Sequence, residues 1–215
     1  MRTITKRSLF ATAVAAAALG LTVTSASATA QATFTIVNPN ANGSFTASLK
    51  SGTTADLLDT VTNQSVTCYS ATATGTATNG VHANGTNLVQ IATATFGNAV
   101  SDPCDGPLGS SFSAVSTSAI NLNATSYAGG ITSGSLSNVH VTLTGDTLFG
   151  VCTAKISGTA SNAKYNNATG ELSITNGAGL TVSGVSNCAS LMNNGDAAKF
   201  SAVYKVAKPL TVTSP

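Results

Sequence analysis

The chain contains no tryptophan, a single glutamate and no arginine beyond Arg7, and charged residues make up only 7% of its 215 positions. The lack of arginine and of any basic run excludes the electrostatic footprint of a nucleic-acid binder, which grips phosphate with clustered Arg and Lys. No segment after the first 28 residues approaches the 18 or so consecutive apolar residues of a membrane helix. Aromatics are 5% of the chain, so a sugar site built on stacked rings has little to work with beyond Tyr69, Tyr127, Tyr165 and Tyr204. The cysteines, Cys68, Cys104, Cys152 and Cys188, form no C-x-x-C pair and have no histidine nearby, which argues against a zinc or thioredoxin-like site.

What is present first is an address. Arg2, Lys6 and Arg7 precede an uncharged Ala/Leu/Val run from Ser8 to about Thr24, and small residues follow up to Ala28. That is the three-part plan of a secretory signal peptide over 1–28, with cleavage expected after Ala28 or Ala30. Loss of the signal leaves six lysines against seven carboxylates, a chain close to neutral. In an exported chain the four cysteines are disulfides by default.

The mature part alternates apolar and polar residues: Phe34 to Val37, Ser44 to Leu49, Leu88 to Ile91, Val139 to Leu143, Leu172 to Ile174 and Leu180 to Val182. This period of two places one strand face in a core and the other in water. Asn-Gly at 42, 79, 84, 176 and 194 and Asp-Gly at 105 supply turn signals. Only Thr54 to Thr60, through Asp56-Leu57-Leu58-Asp59, suggests a helical turn. The expected fold is all-β, an antiparallel sandwich or barrel of about ten to twelve short strands.

The chain also repeats itself. Cys68 and Cys104 are 36 residues apart, as are Cys152 and Cys188. Gly75-Thr76-Ala77-Thr78-Asn79 after Cys68 matches Gly158-Thr159-Ala160-Ser161-Asn162 after Cys152, and Phe112-Ser113-Ala114-Val115 recurs as Phe200-Ser201-Ala202-Val203. Two related halves, 29–118 and 119–215, are therefore expected to share one core, joined by a continuous strand around Ser116 to Asn121. Four cysteines allow three connectivities. Duplication selects Cys68 with Cys104 and Cys152 with Cys188, because an ancestral unit had only its own two cysteines to pair.

The Lys-Arg and alanine-rich signal, the stretch from Phe45-Thr46-Ala47-Ser48 to Cys68, the Cys104-Asp105-Gly106-Pro107-Leu108-Gly109 turn and the closing Thr211-Val212-Thr213-Ser214-Pro215 resemble a group of small secreted β-rich proteins of actinobacteria. The resemblance implies a Gram-positive extracellular setting and no particular chemistry.

Candidate chemistry is sparse. His82 lies between two turn signals and His140 within a predicted strand, and no G-x-S-x-G elbow offers a nucleophile. A glycosidase pair would have to come from Glu171 and Asp56, Asp59, Asp102, Asp105, Asp146 or Asp196. Asp102 and Asp105 flank Cys104, where aspartate caps turn amides and lacks the ligand spacing of a calcium loop. The Asn-x-Ser/Thr sequons at Asn42, Asn63, Asn84, Asn123 and Asn167 reflect turn composition in a bacterial-looking chain. No catalytic, cofactor or metal residues are assigned. The expectation is a non-catalytic extracellular β protein with a cell-surface or small-molecule partner. A hydrolase using Asp and Glu, or an envelope β-barrel pore, are the alternatives.

Overall fold

The computed structural model describes residues 32–215, so the signal segment and its cleavage sites lie outside the described residues. Fifteen strands follow one another: β1 (Phe34–Val37), β2 (Ser44–Leu49), β3 (Ala55–Asp59), β4 (Ser65–Cys68), β5 (Ala71–Thr76), β6 (Gly80–His82), β7 (Val89–Phe96), β8 (Cys104–Asp105), β9 (Ser111–Ser116), β10 (Ile120–Ala128), β11 (Ile131–Thr147), β12 (Gly150–Asn166), β13 (Glu171–Ser186), β14 (Ala197–Val206) and β15 (Thr211–Thr213). A single 3-10 turn at Pro107–Gly109 is the one helical element among the described residues.

Twelve strands form one antiparallel sheet that closes on itself. The closure becomes simple once broken strands are joined. β14 pairs with β2 through Tyr204–Val206 and with β3 through Ala198–Ser201, so β2 and β3 are two lengths of one stave. β4 and β5, β7 and β8, and β9 and β10 make three more broken staves, because β3 pairs with β4 and β2 with β5, β8 with β4 and β7 with β5, and both β9 and β10 with β11. With β11, β12, β13 and β14 unbroken, the barrel has eight antiparallel staves in chain order. β10 on β7 closes it at one level and β9 on β8 at the other. Periodicity could not choose between sandwich and barrel; the pairing makes it a barrel. An eight-stave barrel has an interior that side chains nearly fill.

Four sequence expectations change. Asp56-Leu57-Leu58-Asp59 is strand β3 and not a helical turn, because its backbone groups are taken up by β4 and β14. The segment from Ser116 to Asn121 is not continuous strand: β9 ends at Ser116 and β10 resumes at Ile120. Nor are all the strands short, since β11 and β12 each run 17 residues. Asn176-Gly177 makes no hairpin; it lies inside β13, where Asn176 (φ 47°) sits at a register shift against β14. Asn138 (φ 55°) and Asn162 (φ 59°) mark similar shifts in β11 and β12. Such bulges add twist, and asparagine tolerates the left-handed backbone they need, which lets long strands coil round a narrow barrel.

The alternation read from the sequence now has a direction. Leu136, Val139 and Leu143 of β11, Ala154, Ile156 and Ala160 of β12, and Ile174, Leu180 and Val182 of β13 are buried, while Ser133, His140 and Thr144 face outward. Cys68–Cys104 ties β4 to β8, and Cys152–Cys188 ties β12 to the loop after β13. Both bridges lie toward the same end of the barrel. The other end is covered by a three-stranded sheet in the order β15-β1-β6.

Candidate functional site

Alanine decides the shape of the interior. Ala47, Ala55, Ala73, Ala94 and Ala160 all point inward, and Ala73 and Ala94 are cross-strand partners on β5 and β7. A methyl at a position where Val, Ile or Leu usually fills a barrel leaves space on the axis. The result is a cavity of about 120 Å³, bounded by Phe45, Val89, Ile91, Leu143, Ile156 and Phe200 among others, with essentially no polar atom on its surface. Phe96 meets Phe200 edge to face at 5.6 Å between ring centres, bracing one side.

Each mouth is shut by chain. At the sheet-covered end a strap of residues 207–213 crosses the barrel, and its Leu210 and Val212 form part of the cavity wall. The strap is latched by side chains from the end of β12. The Tyr165 hydroxyl donates to the Leu210 carbonyl (2.9 Å) and accepts the Leu210 N–H (2.8 Å). Asn167 does the same to Val212, its Nδ2 donating to the carbonyl (2.7 Å) and its Oδ1 accepting the N–H (3.0 Å). Burial pushes the Tyr165 phenol above its ordinary value, partly offset by the Leu210 backbone bond, so it stays a protonated donor.

At the disulfide end the loop 187–196 folds inward with Leu191 and Met192 buried, and Cys188 anchors it to β12. A second cavity of about 10 Å³ lies there, bounded by Asp59, Gln64, Phe112, Leu191 and Met192. Asp59 is buried; its Oδ1 accepts the Val61 and Thr62 amides, while its Oδ2 has no partner among the described residues.

The chemistry-bearing residues singled out in the sequence are not gathered. His82 ends β6, bonded through Nε2 to the Thr78 carbonyl (3.0 Å), and His140 is exposed on the outer wall of β11. Glu171 at the head of β13 pairs with Lys50 (3.0 Å), which holds its carboxyl below the usual range, while Asp196 at the opposite end caps the Asn193 amide (2.8 Å). Asp102 bridges back to Asn98 in the loop between β7 and β8. One juxtaposition escaped the sequence: Asp56, Thr67 and Asp105 stand in register on β3, β4 and β8. Asp56 accepts the Thr54 and Thr67 hydroxyls (both 2.7 Å), and the Asp105 carboxylate near the Tyr69 hydroxyl raises that phenol above its ordinary value. This cluster is on the outer wall and borders neither cavity. No three His, Cys, Asp or Glu side chains come together as a metal ion would require among the described residues.

The chain matches no protein-family model, no curated protein and no solved structure at a significant level.

Proposed function

We propose that the mature chain is an exported, non-catalytic binding barrel whose lumen takes a small apolar molecule. The observation that carries this reading is the closed barrel with its wholly apolar, alanine-lined cavity. Packed interiors seldom keep voids larger than a water molecule, so about 120 Å³ of continuous space on the axis is more than incomplete packing leaves. Apolar cavities of roughly 150 Å³ stay dry and accept benzene or xenon. Ligand pockets for drug-sized molecules are about 300 Å³ or more, so the guest is compact, or the strap moves to admit part of a longer one.

Export is supported by the basic, alanine-rich leader and by two disulfides, which persist in oxidising compartments. The outer wall favours water over lipid: β11 presents Ser133, Ser137, His140, Thr142 and Thr144, where a membrane barrel needs an apolar band about 25 Å tall.

The test is binding of xenon and benzene to the oxidised mature protein, followed by shifts of the Val89, Ile91 and Leu143 methyl resonances. Saturable shifts are expected, and they should vanish in Ala73→Leu/Ala94→Leu, which fills the cavity, provided that variant keeps the wild-type circular dichroism. Shifts absent in wild type, or unchanged in a folded filled variant, would overturn the reading. Mass spectrometry of protein taken from culture supernatant under non-denaturing conditions would then identify a co-purifying guest.

A further inference from the structure

The two ends of the barrel differ in ways that the lumen does not explain. Hairpin tips are usually Gly, Asn, Asp or Ser, and at the sheet-covered end they are, as in Gly129-Gly130 and Asn166 to Gly170. At the disulfide end the tips carry large apolar side chains held in water: Val61 between β3 and β4, Leu108 between β8 and β9, and Leu148 (83% exposed) with Phe149 (68%) between β11 and β12. Leu108 is also left-handed at φ 57°, a conformation that costs a branched side chain energy and that no burial here compensates.

Charge divides along the same axis. All six aspartates lie toward the disulfide end, with Lys155 and Lys199; the remaining four lysines of the mature chain, Lys50, Lys164, Lys205 and Lys208, lie toward the other end, and Lys50 is paired there with Glu171. The near-neutral total therefore conceals an acidic, apolar-tipped end and a basic end. The basic end has apolar surface of its own: Val37 on β1 and Val81 on β6 (74% exposed), in a small sheet whose outer strands β6 and β15 each have one edge with no partner strand among the described residues.

We infer that a second copy of this chain occupies the apolar-tipped end, docked head to tail, with the tips of one barrel seated on the β15-β1-β6 sheet of the next. Charge complementarity chooses this arrangement. Tip to tip would set Asp102, Asp105 and Asp146 against their own counterparts, and sheet to sheet would do the same with the lysines; like charges facing each other disfavour both. Head to tail sets carboxylates against ammonium groups around two apolar centres. An anionic membrane as occupant is disfavoured by the same aspartates. A contact between different surfaces does not close on itself in pairs, so copies add in a line unless the rotation closes a ring.

The experiment uses sedimentation velocity on the oxidised mature protein over a concentration series at low and high salt, with two variants. Leu148→Ser/Phe149→Ser alters the tips and Lys164→Glu/Lys208→Glu the sheet end. Wild type is expected to form species beyond the dimer at low salt and to lose them at high salt, and each variant alone to remain monomeric. Mixed one to one, the two variants should form a dimer that grows no further, since each keeps one competent end. A wild type monomeric at millimolar concentration overturns the inference. So does a closed dimer indifferent to the lysine variant, or binding of the apolar tips to phosphatidylcholine vesicles without self-association.

Discussion

Tyr165 and Leu210 are bonded to each other twice, once through each backbone polar group of Leu210, and this pair fixes the strap that closes one mouth of the barrel. Replacing Tyr165 with Phe keeps the ring and strands both groups in a buried site. The expected loss is about 1–3 kcal/mol. It should be local as well as global: amide exchange at Leu210 and Val212 should speed up more than at Ile156 or Val182 in the barrel wall. Equal acceleration throughout would mean that Tyr165 supports the fold generally and does not latch the strap.

Each disulfide closes a loop with a sequence separation of 36 residues, for which the chain-entropy relation gives about 4 kcal/mol. Cys68→Ala/Cys104→Ala should therefore lower Tm by roughly 8–16 °C in a domain of this size. Alanine is the appropriate replacement because Cys104 and Cys152 are fully buried, and serine would bury an unpaired hydroxyl. Losing both bridges removes a sum comparable to the whole stability of an ordinary domain, about 5–15 kcal/mol, and should leave the chain largely unfolded at 37 °C. A double-pair variant that melts cooperatively within a few degrees of wild type would show that the loops are ordered without their bridges.

The bridges also show what could be read in advance. Equal cysteine spacing and the repeated Phe-Ser-Ala-Val gave the pairing, and the barrel accounts for why that worked. Numbering the staves in chain order, the first bridge joins the second and third, and the second joins the sixth to the loop that follows the seventh. The tetrapeptide lies in β9, part of the fourth stave, and again in β14, the eighth. Strand against strand was legible because alternation is a local property. Closure was not, since it depends on β10 reaching β7 and β14 reaching both β2 and β3. The lumen left one faint trace: alanine where a filled barrel would carry Val or Leu, as in Ala71-Thr72-Ala73 and Ala160. Asn-Gly at 176 misled because a bulge and a hairpin turn both need positive φ, and the dipeptide alone does not say which.

Glycine marks where staves press together. A Cβ on Gly134 of β11 would stand 1.8 Å from the Asn123 carbonyl oxygen of β10, and one on Gly75 would stand 2.0 Å from the Gln90 carbonyl oxygen. Gly134→Ala should force the neighbouring strand aside and destabilise by about 1–3 kcal/mol or more. Gly52 is the control: its φ is 77° and no atom of the described residues lies within 4 Å of the added carbon, so Gly52→Ala should cost only the left-handed backbone, roughly 1–2 kcal/mol. Urea melts that rank Gly52→Ala as the worse of the two would contradict the close approach of β10 and β11.

Tyr204 sets a limit on the alkaline side. Its ring is buried on the inner face of β14 and borders the cavity, and burial pushes its phenol well above the ordinary value. A folded value above the unfolded one means that the unfolded chain releases its proton first as pH rises. The stability tied to the neutral hydroxyl is thus fully present below about pH 10, the ordinary phenol value, and is lost progressively as pH climbs above it. The measurement is a difference: urea melts of wild type and Tyr204→Phe from pH 8 to 11.5. Wild type should lose stability more steeply above pH 10 than the variant, whose curve keeps only the contribution of the other groups. Tyrosinate absorbance should rise cooperatively with unfolding. Parallel curves for the two proteins across the whole range would mean that Tyr204 ionises in place, which a ring buried against an apolar cavity does not allow.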